Sequence, residues 1–265
     1  MPDFAGLWAD LGDLVLPAEC AGCRSVATRL RQGVCADCAA ELRALRPRSV
    51  RPTPAPPGLP PCVALGPYEG ALRESLLTYK DRGRHGLARP LGALLAEVVA
   101  AAVGQVRPVL LIGVPDTAAA ARARYGDHLD RLTRQAATRL RTAGWPVRVL
   151  HPLVAAPRAD SAGLGSADRA RAAEAAFRLR SGAWRPRPSA PPSSAPPRSR
   201  PPTTPLPVAR SRAGRSGVSE PVVVVLDDIL TTGATLAAVS RTLRVAGLAP
   251  SVAAVLAATR RRHSR

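Results

Sequence analysis

The chain has 265 residues, of which 46% are hydrophobic and 3% aromatic, and it carries a formal net charge of +19. Such a length holds one substantial α/β domain with a small appendage, and the apolar share is enough for a packed core, which excludes a wholly disordered chain. Scarce aromatics exclude a broad stacking platform for single-stranded bases, while the charge, carried by arginine because Lys80 is the only lysine, attracts polyanions in a salt-dependent manner.

Asp3, Asp10 and Asp13 flank the first apolar residues, so no secretory signal is expected there. Residues 14–45 contain Cys20-x2-Cys23 and then Cys35-x2-Cys38. Each knuckle offers two thiolates to one ion, and two knuckles at short separation have the spacing of a tetrahedral four-cysteine zinc site. With all four positions filled and none left for water, the zinc is expected to be structural. Reduced thiols or a disulfide pair are the alternative, and the missing secretory signal weighs against disulfides. Gly22 and Gly33 fall where tight turns are expected, and the segment has little apolar material of its own, so metal binding is expected to drive its folding. Cys62 stands alone and reads as a small core residue.

Residues 46–61 form a proline-rich linker that is not expected to pack. Apolar spacing predicts helices over 71–80 and 87–103, a strand over 109–114, a helix over 127–143 and a short strand over 147–150. Gly144, with Pro146 beyond it, ends the third of these helices. Leu91 to Val103 is interrupted by Glu97 and reads as a buried helix, so no transmembrane segment is expected and the location is expected to be cytoplasmic. His151 to Ser181 combines a loop with a helical Ala/Arg/Glu stretch ending in Phe177-Arg178-Leu179. Residues 184–219 are dominated by Pro, Ser and Arg without one acid, a composition that cannot offset chain entropy, and they read as a disordered insertion. The insertion is either a tolerated loop expansion or a basic tether for polyanions or lipid. His85, His128, His151 and His263 occur singly and read as structural or solvated, so no general base stands out.

Val222 to Leu226 are apolar without alternation, the pattern of a strand buried on both faces. Asp227 and Asp228 are expected at its carboxyl end, where parallel sheets bind ligands, and Thr231, Thr232, Gly233, Ala234 and Thr235 bend into a helix. Free N–H groups and the macrodipole at a helix start attract phosphate, Gly233 allows close approach, and the threonine hydroxyls add donors. Two carboxylates beside such a seat suit the vicinal hydroxyls of a sugar phosphate, which points to ribose 5-phosphate. A strand over 251–257 and a basic tail over 260–265 complete the chain.

The segment 222–235 resembles the signature of type I phosphoribosyltransferases for 5-phosphoribosyl-1-pyrophosphate (PRPP). Together with the four cysteines, it resembles the arrangement of the ComF family. Further blocks agree: Tyr68 to Arg73 leading to Leu77–Gly83, Ile112 to Pro115 followed by Arg122 to Asp127, and Arg158 to Phe177 with Ala162-Gly163-Leu164 and Arg169. The resemblance implies an α/β type I phosphoribosyltransferase fold over 62–259, a twisted, mainly parallel sheet with helices on both faces, preceded by the zinc module. It implies magnesium-PRPP as ligand, with Asp227 and Asp228 on the ribose hydroxyls and acting in catalysis, Thr231 to Thr235 on the 5-phosphate, and an unidentified nitrogen acceptor. Lys80, Arg122 and Arg124 are candidate pyrophosphate contacts, Lys80 because a compact point charge persists in an arginine-rich chain; solvated positions at helix ends are the alternative. Ser161 and Ala172 stand where the family carries Gln and Asn, which raises the alternative of a non-catalytic PRPP sensor. The other alternative implied by the resemblance is a competence accessory that handles single-stranded DNA or DNA-uptake proteins. Oligomeric state is left open.

Overall fold

The structure is a computed structural model, and it describes residues 19–26, 29–124, 126–156, 176–180 and 220–259. The insertion over 184–219, the tail, Tyr125, Ser161, Ala172, His263 and the Arg158–Ala175 part of the block ahead of Val222 lie outside the described residues. Helix α1 (Ala36–Ala44) leads to strands β1 (Arg48–Val50) and β2 (Cys62–Pro67), then to helices α2 (Gly70–Lys80) and α3 (Ala88–Val103). Strand β3 (Val109–Gly113), helices α4 (Ala118–Ala123) and α5 (His128–Thr142), and strands β4 (Val147–Val149), β5 (Leu153–Ala155) and β6 (Phe177–Leu179) follow. Strand β7 (Val222–Leu230), helix α6 (Ala234–Val245) and strand β8 (Val252–Ala258) close the order.

Six strands form one sheet in the order β1-β2-β8-β7-β3-β4, parallel throughout except for β1 against β2. The central strands β3, β7 and β8 are built mainly of Val, Leu, Ile and Ala, interrupted by Asp227 and Asp228 in β7, and most of their residues are buried because helices cover them. Helix α5 shows how the cover forms: Leu129, Leu132, Ala136 and Leu140 bury one stripe while Arg134, Thr138 and Arg139 stay outside. Its start is capped by Asp127, whose Oδ1 accepts the Asp130 N–H at 2.9 Å.

The crossovers locate the ligand crevice. From β3 the chain passes through α5 to β4 on one side, whereas from β7 it passes through α6 to β8 on the other. Right-handed connections therefore put α5 and α6 on opposite faces. Since β3 and β7 are neighbours, the connections diverge between them, and the crevice beyond their carboxyl ends is the topological switch point.

The structure corrects three expectations and qualifies a fourth. The linker over 46–61 packs: its residues 48–50 are β1, with Arg48 opposite Ala64 and Val50 opposite Cys62. Pro57 and Gly58 accept hydrogen bonds from Arg241 and Arg244 of α6 at 3.0 and 3.1 Å. Strand β7 does not stop at Leu226 but runs to Leu230, because β8 keeps pairing with it, Leu230 opposite Ala258, after β3 has ended at Gly113 opposite Leu226. At the described ends of 151–181, the first of which is expected as a loop, β5 and β6 pair as an antiparallel ribbon, with Leu153 opposite Leu179, and the expected helical stretch between them lies outside the described residues. Finally, His85–Val103, a 3-10 turn running into α3, is 19 residues long and apolar enough to cross a bilayer by length and composition. Half of its apolar window is buried, with Leu91, Leu95, Val98 and Val99 inside the core, as expected of a covering helix.

Candidate functional site

The four cysteines come together. The sulfurs of Cys20, Cys23, Cys35 and Cys38 lie within 4.8 Å of one another, and those of Cys23 and Cys35 are 3.8 Å apart. Zn–S bonds of about 2.3 Å place tetrahedral sulfurs about 3.8 Å apart, so the set is compatible with structural zinc. Burial opposes a charged Cys20 sulfur, yet backbone N–H groups of Cys35, Cys23 and Gly22 outweigh it and lower this thiol to about 6. Burial and the neighbouring sulfurs push Cys38 in the opposite direction, so a bound cation would favour the thiolate there. Gly33 occupies a left-handed turn at φ 84°, as expected, whereas Gly22 serves close packing: a Cβ there would lie 2.7 Å from Cys38 Sγ. Cys62 is a core residue, and burial raises its thiol to about 11.

At the switch point, β7 extends past the end of β3 and carries Asp227 and Asp228 into a cleft of about 440 Å³. Lys80, Asp116, Arg124, His128, Thr231 and Thr235 also line it, with Ala155 and Phe177 of the β5–β6 ribbon. The Lys80 ammonium sits 2.9 Å from Asp228 Oδ2, so this half-buried lysine is tied to the acid. His128 Nε2 is 3.1 Å from the same oxygen, and its Nδ1 is 2.6 Å from Asp116 Oδ2. Arg124 reaches Asp116 Oδ1 at 3.4 Å, while Arg122 is exposed on α4 and does not line the cleft. Of the loop residues, Thr232 and Ala234 face a neighbouring groove of about 980 Å³, walled by residues 48–57 and shared with Thr231. Gly233 is buried at φ 78°, with Leu59 and Pro52 within 3.0 and 3.2 Å of where a Cβ would stand.

The electrostatics follow from these pairings. Burial alone would raise Asp228, but the His128 hydrogen bond and the Lys80 charge prevail and hold its carboxyl well below the usual carboxylate range. Asp227 behaves oppositely: lost hydration and the adjacent Asp228 charge raise it, despite the Asp228 N–H it accepts at 2.9 Å. Burial pulls His128 down, yet bonds to Asp116 and Asp228 raise it to about 9, so both ring nitrogens donate and the ring is an imidazolium at neutral pH. Burial opposes the charge of Asp116 too, and His128 and Arg124 outweigh it. Three cations thus face two ionised carboxylates and one carboxyl biased toward its neutral form, and the excess positive charge suits an anionic ligand.

Asp116, Asp127 and His128 also place donor atoms within 4.8 Å of one another. Both nitrogens of the imidazolium are committed to the carboxylates of Asp116 and Asp228, so His128 offers a metal no lone pair, while Asp127 accepts the backbone N–H groups of Asp116 and Asp130. Asp116 and His128 escaped sequence reading. The available signals were an acid directly after the Val114-Pro115 turn and a histidine at the first position of a helix, where the macrodipole opposes its charge and demands carboxylate partners. Compared with known proteins, the chain matches no protein-family profile and no curated sequence.

Proposed function

We propose that the chain is a phosphoribosyltransferase-like protein similar to the ComF family, which binds magnesium-PRPP in the switch-point cleft and transfers ribose 5-phosphate to a nitrogen acceptor. The observation that carries this reading is the run of Asp227 and Asp228 on the overhang of β7, followed at once by a hydroxyl-rich turn into α6. Carboxylates accept from the ribose hydroxyls, and the turn from Thr231 to Thr235 donates to the 5-phosphate. Lys80 and Arg124 give the cleft the positive charge that a diphosphate needs. In the reaction the bond from ribose C1 to the pyrophosphate oxygen breaks, pyrophosphate leaves with the electron pair, and the acceptor nitrogen forms the new bond to C1 and sheds its proton. Positive charge builds on the ribose meanwhile; the ionised Asp228 stabilises that charge, and Asp227 acts chiefly by positioning. Zinc in the cysteine module supplies folding, with no open position for chemistry.

Titration calorimetry with magnesium-PRPP tests the reading. Wild type is expected to bind, and Asp228→Asn to bind at least about tenfold more weakly, which corresponds to about 1.4 kcal/mol. Asp227→Asn is expected to weaken binding by less, since that carboxyl is already biased toward its neutral form. A wild type that does not bind, or acid variants that bind as well as it does, would overturn the proposal. Pyrophosphate release with a panel of nucleobases and amines then separates a transferase from a PRPP sensor that binds without turnover.

A further inference from the structure

Three consecutive residues at the end of α2 reach three different parts of the molecule. The Thr78 hydroxyl donates to the carbonyl of Ala21, inside the first cysteine knuckle, at 3.4 Å. The Tyr79 hydroxyl donates to the carbonyl of His128 at 2.6 Å, and the Lys80 ammonium pairs with Asp228 at 2.9 Å. Successive helical residues point about 100° apart, so one short helix end joins the cysteine module, α5 and β7.

The module grips α2 at its other end as well. Glu69, at the N-cap, makes no side-chain cap bond; instead Glu41 of α1 accepts the Ala71 N–H at 2.9 Å and satisfies one of the helix's orphan donors. Gly22 lies so close that a Cβ would stand 3.2 Å from the Ala71 Cβ. Beyond the helix, Arg84 donates to the Glu19 carbonyl and Leu87 packs on Gly33. Every one of these contacts comes from the loop and helix that the four sulfurs hold in shape.

We infer that the cysteine centre is a positioning device for Lys80: when metal fixes the two knuckles, α2 is held at both ends and its last side chain is delivered to Asp228. Without the metal, the carbonyl of Ala21 and the carboxylate of Glu41 lose their fixed places, α2 is released, and Lys80 leaves the acid. The effect on ligand affinity rests on the reading of the cleft as a magnesium-PRPP site; the effect on Lys80 does not.

Because Lys80 is the only lysine, its ε-amine is the only side-chain amine, and acylation of the folded protein with a soluble ester followed by mass spectrometry of the Lys80 peptide distinguishes it from the α-amine. In zinc-loaded protein the ion pair is expected to keep acylation slow, and chelation is expected to speed it about fivefold or more while far-UV circular dichroism is retained. Asp228→Asn in zinc-loaded protein gives the rate of the released amine. Acylation unchanged by chelation, with Asp228→Asn fast, overturns the inference. Should chelation collapse the fold, Thr78→Val decides with zinc in place: faster acylation of Lys80 is expected, and a wild-type rate overturns the inference. Magnesium-PRPP affinity is measured on the same samples and is expected to fall severalfold on chelation. No binding even by zinc-loaded wild type counts against the proposed function and leaves the Lys80 result standing, whereas equal affinity with and without zinc counts against the inference alone.

Discussion

The charge state of His128 governs the cleft, since one ring ties the β3 turn to the acid of β7. Its ordinary pKa of 6.5 rises to about 9 because carboxylates outweigh burial. A group raised in this way contributes stability that is fully present below 6.5 and is lost as pH climbs through about 9, since only the folded protein still holds the proton in that window. The contribution is on the order of 2–3 kcal/mol for a ring this well buried. Thermal melts of wild type are therefore expected to fall between pH 6.5 and 9.5 more steeply than those of His128→Asn, which has no such proton to lose. Parallel slopes for the two proteins would show that the ring carries no charge in the fold. Comparing the pair cancels the titration of the cysteines, which both proteins share. Asp228 shows the opposite sign: depressed by His128 and Lys80, it adds stability above the ordinary carboxylate range that is lost as pH falls toward its lowered value.

Between elements, α3 and α5 meet backbone against backbone at Gly92. A Cβ at Gly92 would stand 2.4 Å from the Gln135 Cβ and 3.2 Å from the Ala136 nitrogen and Leu132 oxygen, which are backbone and cannot step aside. Alanine improves an exposed helix by about 1 kcal/mol over glycine, but here the overlap prevails, and Gly92→Ala is expected to destabilise by about 1–3 kcal/mol in urea denaturation. A gain in stability would mean that the two helices are free to separate. Long helices such as α3 and α5 were legible in the sequence because their apolar stripes repeat over several turns, and β7 because its run of valines is unbroken. Strand β1 was not, since Arg-Ser-Val is too short to show a period and is selected by its pairing with β2. Asp227 and Asp228 could be read as a pair because they are adjacent. Their partners could not: His128 lies 100 residues from Asp228 and Lys80 lies 148 away, so only the fold brings them together.

Across the whole molecule, the cysteine module and the sheet share one core. Cys20, Ala21, Cys38 and Leu42 are buried in the same cluster as Leu72, Leu76 and Leu65, so the module is no separate bead despite its small size. A module with its own core would melt by itself, whereas a shared core couples both parts into one transition. A metal held by the four sulfurs would then stabilise the entire fold by mass action, because an unfolded chain holds such an ion far less well. Scanning calorimetry of zinc-loaded protein is expected to give a single transition for the described core, displaced downward by on the order of 10 °C when a chelator removes the metal. Two resolved transitions, of which only the smaller responds to chelator, would show instead that the module unfolds independently. In that event α2 would have to hold its place by the contacts of Leu72, Leu76 and Tyr79 alone, and Lys80 would keep its hold on Asp228 whatever the state of the sulfurs.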